Sequence, residues 1–220
     1  MAKVIISYDG SENDDDALAL GKMLAEPGEL ALAYIRHSQE LDPEREKLAQ
    51  HDAEQRLARG AELLGRPELP QHVVFGASTG AALEELADRE GASIVVFGSD
   101  YRTPPGHAEP PTSAQRLLEI GDTAVAVAAS GLRADSGAKI ATIAVVSTDG
   151  DDTAARSAEA LASAAGAEVV SNGSSADLIV VGSQPGAPAG RVALSGAART
   201  ALDASRGSVI VVPAGKPLSG

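Results

Sequence analysis

Two glycine-serine pairs, Gly98-Ser99 and Gly182-Ser183, close the apolar runs Ser93-Ile-Val-Val-Phe97 and Asp177-Leu-Ile-Val-Val181. Thr112 and Ser113 then place two hydroxyls at the start of the helical segment that follows the first pair. Residues of these types suit phosphate chemistry. Phosphate oxygens need several backbone N–H groups aimed at them at a helix N-terminus, and glycine lets the backbone come close. In open α/β sheets ligands bind beyond the carboxyl ends of the strands. Any function is therefore expected in the loops from Gly98 to Pro111 and from Gly182 to Ser195. Other residues of the first loop oppose a phosphate. Pro104, Pro105, Pro110 and Pro111 each remove an N–H donor and fix φ, and Asp100, Arg102 and Glu109 mix charges where a triphosphate prefers positive ones.

Further candidates lie near the N-terminus. Asp9-Gly10-Ser11 follows the first apolar run, and Asp-Gly is equally a common turn. The run Asp14-Asp15-Asp16 could hold magnesium or accept a phosphoryl group. A phospho-relay receiver, however, needs an aspartate at the end of the third strand, and Val73-Val-Phe-Gly-Ala77 offers none. First-turn acids favour the helix dipole, so this run is expected to be a solvated helix start. His37, His51, His72 and His107 have no ligand spacing and the chain has no cysteine, so no metal is expected. No Gly-x-Gly-x-x-Gly follows the first strand, and neither a Gly-x-Ser-x-Gly elbow nor a catalytic carboxylate pair occurs. No catalytic residue is expected, and the chain is read as something other than an enzyme.

Composition narrows the partners. Lys plus Arg number 18 against 31 Asp plus Glu, a net charge of -13 that opposes binding to nucleic acid or an anionic membrane surface. Zero cysteines exclude a disulfide framework and a thiol nucleophile. The N-terminal apolar run is too short for a signal peptide, and no 18-residue apolar stretch exists for a span, so a soluble cytoplasmic protein is expected. Aromatic residues make up 2% and hydrophobic residues 44%, so the core must be built from Ala, Val, Leu and Ile.

The elements that must position the loops can be placed. Strands are predicted at Val4–Tyr8, Glu29–Ile35, His72–Phe75 and Ser93–Ser99, and helices at Asp14–Ala25, Pro43–Leu64 and Thr79–Glu90, with Pro43 as a helix start, Thr79 as a cap and Gly65 and Gly91 as stops. Continuous β-branched runs suit a parallel sheet buried on both faces. The chain then repeats itself. From Gly98 and from Gly182 a glycine follows at plus 8 (Gly106, Gly190), a leucine at plus 20 (Leu118, Leu202) and a valine at plus 27 (Val125, Val209). The Asp9-Gly10 turn returns at Asp149-Gly150 after the strand Ile143–Val146. Asp9 and Gly98 are 89 residues apart whereas Asp149 and Gly182 are 33 apart, a shortfall of 56 that removes two helices and one strand from the second copy. Boundaries are expected at 1–130 and 139–220, with 131–138 as linker. The last strands, Thr123–Ala128 and Ser208–Val212, are expected to pair, and the uncovered part of the second sheet to be buried by the first copy or by another chain.

The Asp-Gly-Ser turn, the Val-Val-Phe-Gly-Ser strand end and the helix beginning 13 residues later resemble the universal stress protein family, in two tandem copies covering nearly the whole chain. The resemblance implies two doubly wound, Rossmann-like (adenine nucleotide alpha hydrolase-like) α/β domains, the second truncated, forming an intramolecular pseudo-dimer. It implies a cytoplasmic stress-response role exerted through protein partners or self-association, with a homo-oligomer as a further option. Members that bind ATP carry Gly, two residues, Gly, nine residues, then Gly followed by Ser or Thr. Against that pattern Gly98 and Thr112 match while Tyr101 and Pro111 replace glycines. In the second copy only Gly182 matches, with Pro185, Ser195 and Gly196 at the other positions. Tight ATP binding is therefore not expected. The alternative is an ATP or AMP sensor in the first domain using Asp9 and Ile35 beside adenosine and Gly98, Ser99, Thr112 and Ser113 at the phosphates.

Overall fold

The computed structural model describes residues 3–26, 29–146, 151–171, 175–184, 186–204 and 206–219. Short β-branched runs give β1 (Val4–Ser7), β2 (Leu30–Arg36), β3 (Gln71–Phe75), β4 (Ile94–Phe97) and β5 (Ala124–Val127). Between them lie α1 (Glu12–Leu24), α2 (Pro43–Leu63), α3 (Thr79–Glu90) and α4 (Thr112–Ile120). The remainder forms β6 (Thr142–Val146), α5 (Thr153–Ala165), β7 (Glu168–Val170), β8 (Leu178–Val181), α6 (Gly196–Ala204) and β9 (Ser208–Val211). Helix signals act where they were expected: Pro43 opens α2 behind the Asp42 cap, and Gly91 ends α3 with φ +65°. Ser78, not Thr79, occupies the α3 cap position, because Thr79 already has helical geometry. The expected Ser147–Gly150 turn, the loop at 172–174 and Pro185 lie outside the described residues.

The two expected sheets are continuous as one sheet of nine strands in the order β3-β2-β1-β4-β5-β9-β8-β6-β7. All neighbours are parallel except β5 and β9, which pair antiparallel with Val125 opposite Val211, Ala126 opposite Ile210 and Val127 opposite Val209. This is the strand pairing expected from the sequence. Outward from the seam, β9-β8-β6-β7 repeats the order β5-β4-β1-β2 and stops one strand short of a counterpart to β3. One face of the sheet is a continuous core running under α1, α2 and α5, through Leu20, Leu57, Ala126, Ile143, Ala158 and Ile210. The other face is split into two clusters, one under α3 and α4 and one under α6. The first half does not reach the far edge, where Val169 is 43% exposed and Val170 is half-buried. Among the described residues no helix is long and apolar enough to cross a membrane.

One expectation fails inside α1. Asp16, read as part of a solvated helix start, is fully buried. Its carboxylate accepts from the Gly131 amide (2.9 Å), the Arg133 amide (2.7 Å) and the Arg133 guanidinium (3.0 Å). The segment 131–138, composed like a flexible linker, is thus tied to α1 and forms a single 3-10 turn at Leu132–Ala134. Composition reports that a segment cannot build its own core; it does not report that a buried carboxylate elsewhere needs its amides. Removing Asp16 leaves two amides and a guanidinium without their acceptor, so Asp16→Ala is expected to cost about 2–4 kcal/mol in urea unfolding. Glu12 pairs with the same Arg133 but its side chain is 85% exposed, so Glu12→Ala should cost less than about 1 kcal/mol. Equal losses in the two variants would contradict the burial argument.

Candidate functional site

Because β1, β2 and β4 run parallel, their carboxyl ends open together into one cavity of about 580 Å³. Of the residues singled out from sequence, Asp9, Ile35, Gly98, Ser99 and Ser113 line it. Thr112 does not: it is the exposed first residue of α4. The cavity also takes in Asp14, Tyr34, His37, Arg56, Thr79 and Tyr101, which no spacing in the sequence connects. They come from a strand, different helices and loops, and meet only through the winding of the sheet.

The polar wall is already knitted together. Asp9 closes an Asx turn by accepting the Ser11 amide at 2.8 Å, and its own amide donates to the Asp14 carboxyl at 2.5 Å. Arg56 lies over the Tyr34 ring at 5.7 Å and donates to the Asp9 carbonyl at 3.0 Å. His37 Nδ1 meets the Gly76 carbonyl at 2.9 Å and Nε2 meets the Thr79 hydroxyl at 3.1 Å. A carbonyl only accepts, so Nδ1 carries the proton. Burial, and then the negative charge of Asp9 and its hydrogen bond, push the Asp14 carboxyl up to about 8.

The loop that would have to grip phosphates commits six of its amides elsewhere. The amides of Asp100, Arg102, Thr103, Gly106, His107 and Glu109 donate to Glu109 O, Asp100 Oδ1, Asp100 O, Ser130 O, Pro104 O and Ser99 Oγ respectively. The Ser99 hydroxyl donates to Ala128 O at 2.6 Å, so this serine braces the loop from a buried position. Gly98 has a packing reason of its own: a Cβ there would lie 2.2 Å from the Asn13 carbonyl oxygen at the start of α1. The second loop repeats two of these bonds, the Ala193 amide on Ser183 Oγ and the Gln184 amide on Ala193 O, while Ser183 Oγ donates to Arg191 O within its own loop. Gly106 and Gly190, the glycines in matching register, both take left-handed φ, +82° and +75°. Each loop then crosses the seam. Gly106 O accepts the Gly207 amide at 2.8 Å ahead of β9, and the Arg191 guanidinium donates to Ile120 O ahead of β5. The two loops act as clasps between the halves.

Among the described residues one acidic group, Glu84, Asp88 and Asp122, brings its ligand atoms within 4.8 Å of one another. Glu84 already accepts the Asp122 amide at 2.7 Å, and Lys216 pairs with Asp122. Glu84 so anchors α3 to the turn ahead of β5, and Asp122 pairs with Lys216 of the second half.

Asp14 makes stability depend on pH in a defined direction. Its folded pKa lies above the unfolded one, so the folded state holds the extra proton between about pH 4 and pH 8, and stability falls as pH rises through that window. Asp14→Asn keeps the acceptor for the Asp9 amide and removes the titration. At pH 8 it is expected to raise the melting temperature by at least about 2–4 °C, equivalent to about 1 kcal/mol, with a smaller difference at pH 4. An Asp14→Asn effect independent of pH would show that the carboxyl is not held protonated.

No protein-family model matches the chain, and no curated protein sequence does. Solved structures do. That of a universal stress protein from Archaeoglobus fulgidus DSM 4304 superposes with a TM-score of 0.57 at 16% identity, covering 97% of this chain and 99% of that one. A structure from Pseudomonas aeruginosa UCBPP-PA14 described as a universal stress protein gives 0.56 at 15%, over 97% of this chain and 94% of that one. A protein of unknown function from Pseudomonas aeruginosa PAO1 gives 0.54 at 14%, over 96% and 93%. At such identities the likeness is one of architecture: the chain has the mostly parallel, doubly wound α/β fold of the universal stress proteins.

Proposed function

We propose that the chain is a tandem universal stress protein, one full unit at 1–130 and one shortened unit at 139–220, with a cytoplasmic stress-response role exerted through protein partners or self-association. In this reading it neither turns over a substrate nor grips ATP tightly. Three features support it: the likeness in fold, the strand order repeated outward from β5 and β9, and the matched hydrogen bonds of the two strand-end loops. The observation that carries it is the commitment of the first loop. Four prolines lack a donor, six amides and the Ser99 hydroxyl bond within the protein, and the loop tip holds Gly207 across the seam.

One observation favours a second reading, an ATP or AMP sensor. The strand-end cavity of about 580 Å³ lies within the roughly 300–1,000 Å³ typical of small-ligand pockets. In that reading Asp9 and Ile35 flank adenosine, while Gly98, Ser99 and Ser113, with Thr112 at the helix start, lie toward the phosphates. Thermal melting separates the two. A site with a dissociation constant of about 10 μM stabilises the fold by about 2.7 kcal/mol at 1 mM ligand, a shift of roughly 5–10 °C for a chain of this length. With ATP, ADP or AMP and magnesium we expect a shift below about 2 °C, unaltered in Asp9→Ala. A shift above about 5 °C that Asp9→Ala abolishes would establish the sensor instead. Gly98→Val is unsuitable as a probe, since its side chain would displace α1 whether or not nucleotide binds.

A further inference from the structure

We propose that a second cavity, on the seam and apart from the strand ends, binds an uncharged amphiphile: an apolar body carrying one hydroxyl or carbonyl group. The cavity measures about 710 Å³ and opens between α4 and α6 on the face where the core is split. On the opposite face the core runs unbroken across the same two strands. Its apolar lining comes from both halves, Leu118 of α4 facing Leu202 of α6 over Val209 and Val211 of β9. A space of this size between two packed clusters suits a small molecule and lies within the usual range for ligand pockets.

The chemistry of the ligand follows from the polar groups. Thr103 lines the cavity and is 7% exposed, yet its hydroxyl makes no hydrogen bond. A buried hydroxyl left unpaired is unfavourable; its oxygen is closed off from the cavity, and in the proposed complex the Thr103 side chain turns to meet a ligand hydroxyl or carbonyl. The rim carries Glu109, Glu119 and Asp203 against Arg199 and His107. Three carboxylates against one permanent cation, on a chain of net charge -13, repel fatty-acid carboxylates and phosphate-bearing molecules. The leucine and valine lining gives a compact, strongly hydrated cation nothing to gain. An uncharged molecule that is mostly hydrocarbon satisfies lining, rim and Thr103 together.

The test uses the full chain with two probes. Diphenylhexatriene, a pure hydrocarbon that fluoresces in apolar surroundings, reads the lining, and 1-octanol, as its competitor, reads Thr103. We expect saturable one-to-one diphenylhexatriene binding that Leu202→Glu weakens at least about tenfold, with Leu118→Glu as the alternative should the first variant fail to fold. Thr103→Val should leave diphenylhexatriene affinity within about twofold while raising the 1-octanol concentration needed for displacement by about three- to tenfold, the worth of one hydrogen bond. The proposal is overturned if no saturable signal appears, if it persists in a folded glutamate variant, or if 1-octanol competes equally well in Thr103→Val and the unsubstituted protein.

Discussion

The antiparallel pairing of β5 with β9 is the constraint on which the rest of the molecule depends. Both strands are apolar on both faces, and each would otherwise be the edge of a short parallel sheet, with unpaired amides and carbonyls beside exposed valines. Pairing removes two edges at once and buries Val125, Val127, Val209 and Val211 to 4% exposure or less. It also reverses one half relative to the other, so the carboxyl ends of β1–β4 and of β6–β8 point in opposite directions. The carboxyl ends of the two halves therefore cannot open into one site. Each strand-end loop instead reaches over the seam and fastens to the partner half, through Gly106 and Gly207 on one side and Arg191 and Ile120 on the other.

This use of the loops bears on function. A glycine at a strand end invites a phosphate reading, but Gly98 is required by the approach of the α1 backbone and Gly106 by a left-handed turn. A serine after that glycine invites the same reading, and Ser99 is instead the post around which the loop is wound. What remains open beside β1 and β2 is a polar cavity whose walls already bond to one another, with the Asp14 carboxyl pushed up by burial and by the charge of Asp9. Such a wall needs no ligand to satisfy it. The seam cavity differs, since it contains a buried hydroxyl with no partner.

Much of the architecture was legible in the sequence because periodicity and punctuation agreed. The β-branched runs, the Gly65 and Gly91 stops and the fixed offsets after Gly98 and Gly182 each predict the element found there, within one or two residues at most ends. The shortfall of 56 residues matches the one strand and two helices by which the described residues of the second half fall short of the first. The site was legible only in part. Asp9, Ile35, Gly98, Ser99 and Ser113 do converge, since strand ends converge by topology, yet Thr112 does not line the cavity and nothing local marks Arg56, His37 or Thr79 as site residues. Asp16 shows the same limit. A helix-start acid and a buried clamp look identical in sequence, because the difference lies in amides more than a hundred residues away.

Hydrogen exchange at the seam tests this account most directly. Ile210 is fully buried in the unbroken core and lies opposite Ala126, so Ile210→Lys would bury an ammonium among apolar side chains at the seam. If the seam joins the two halves as described, protection of the amides of Ala124–Val127 should fall at least about tenfold in that variant, with protection in Leu30–Arg36 much less affected. Unchanged exchange in Ala124–Val127, in a variant that remains folded, would contradict it.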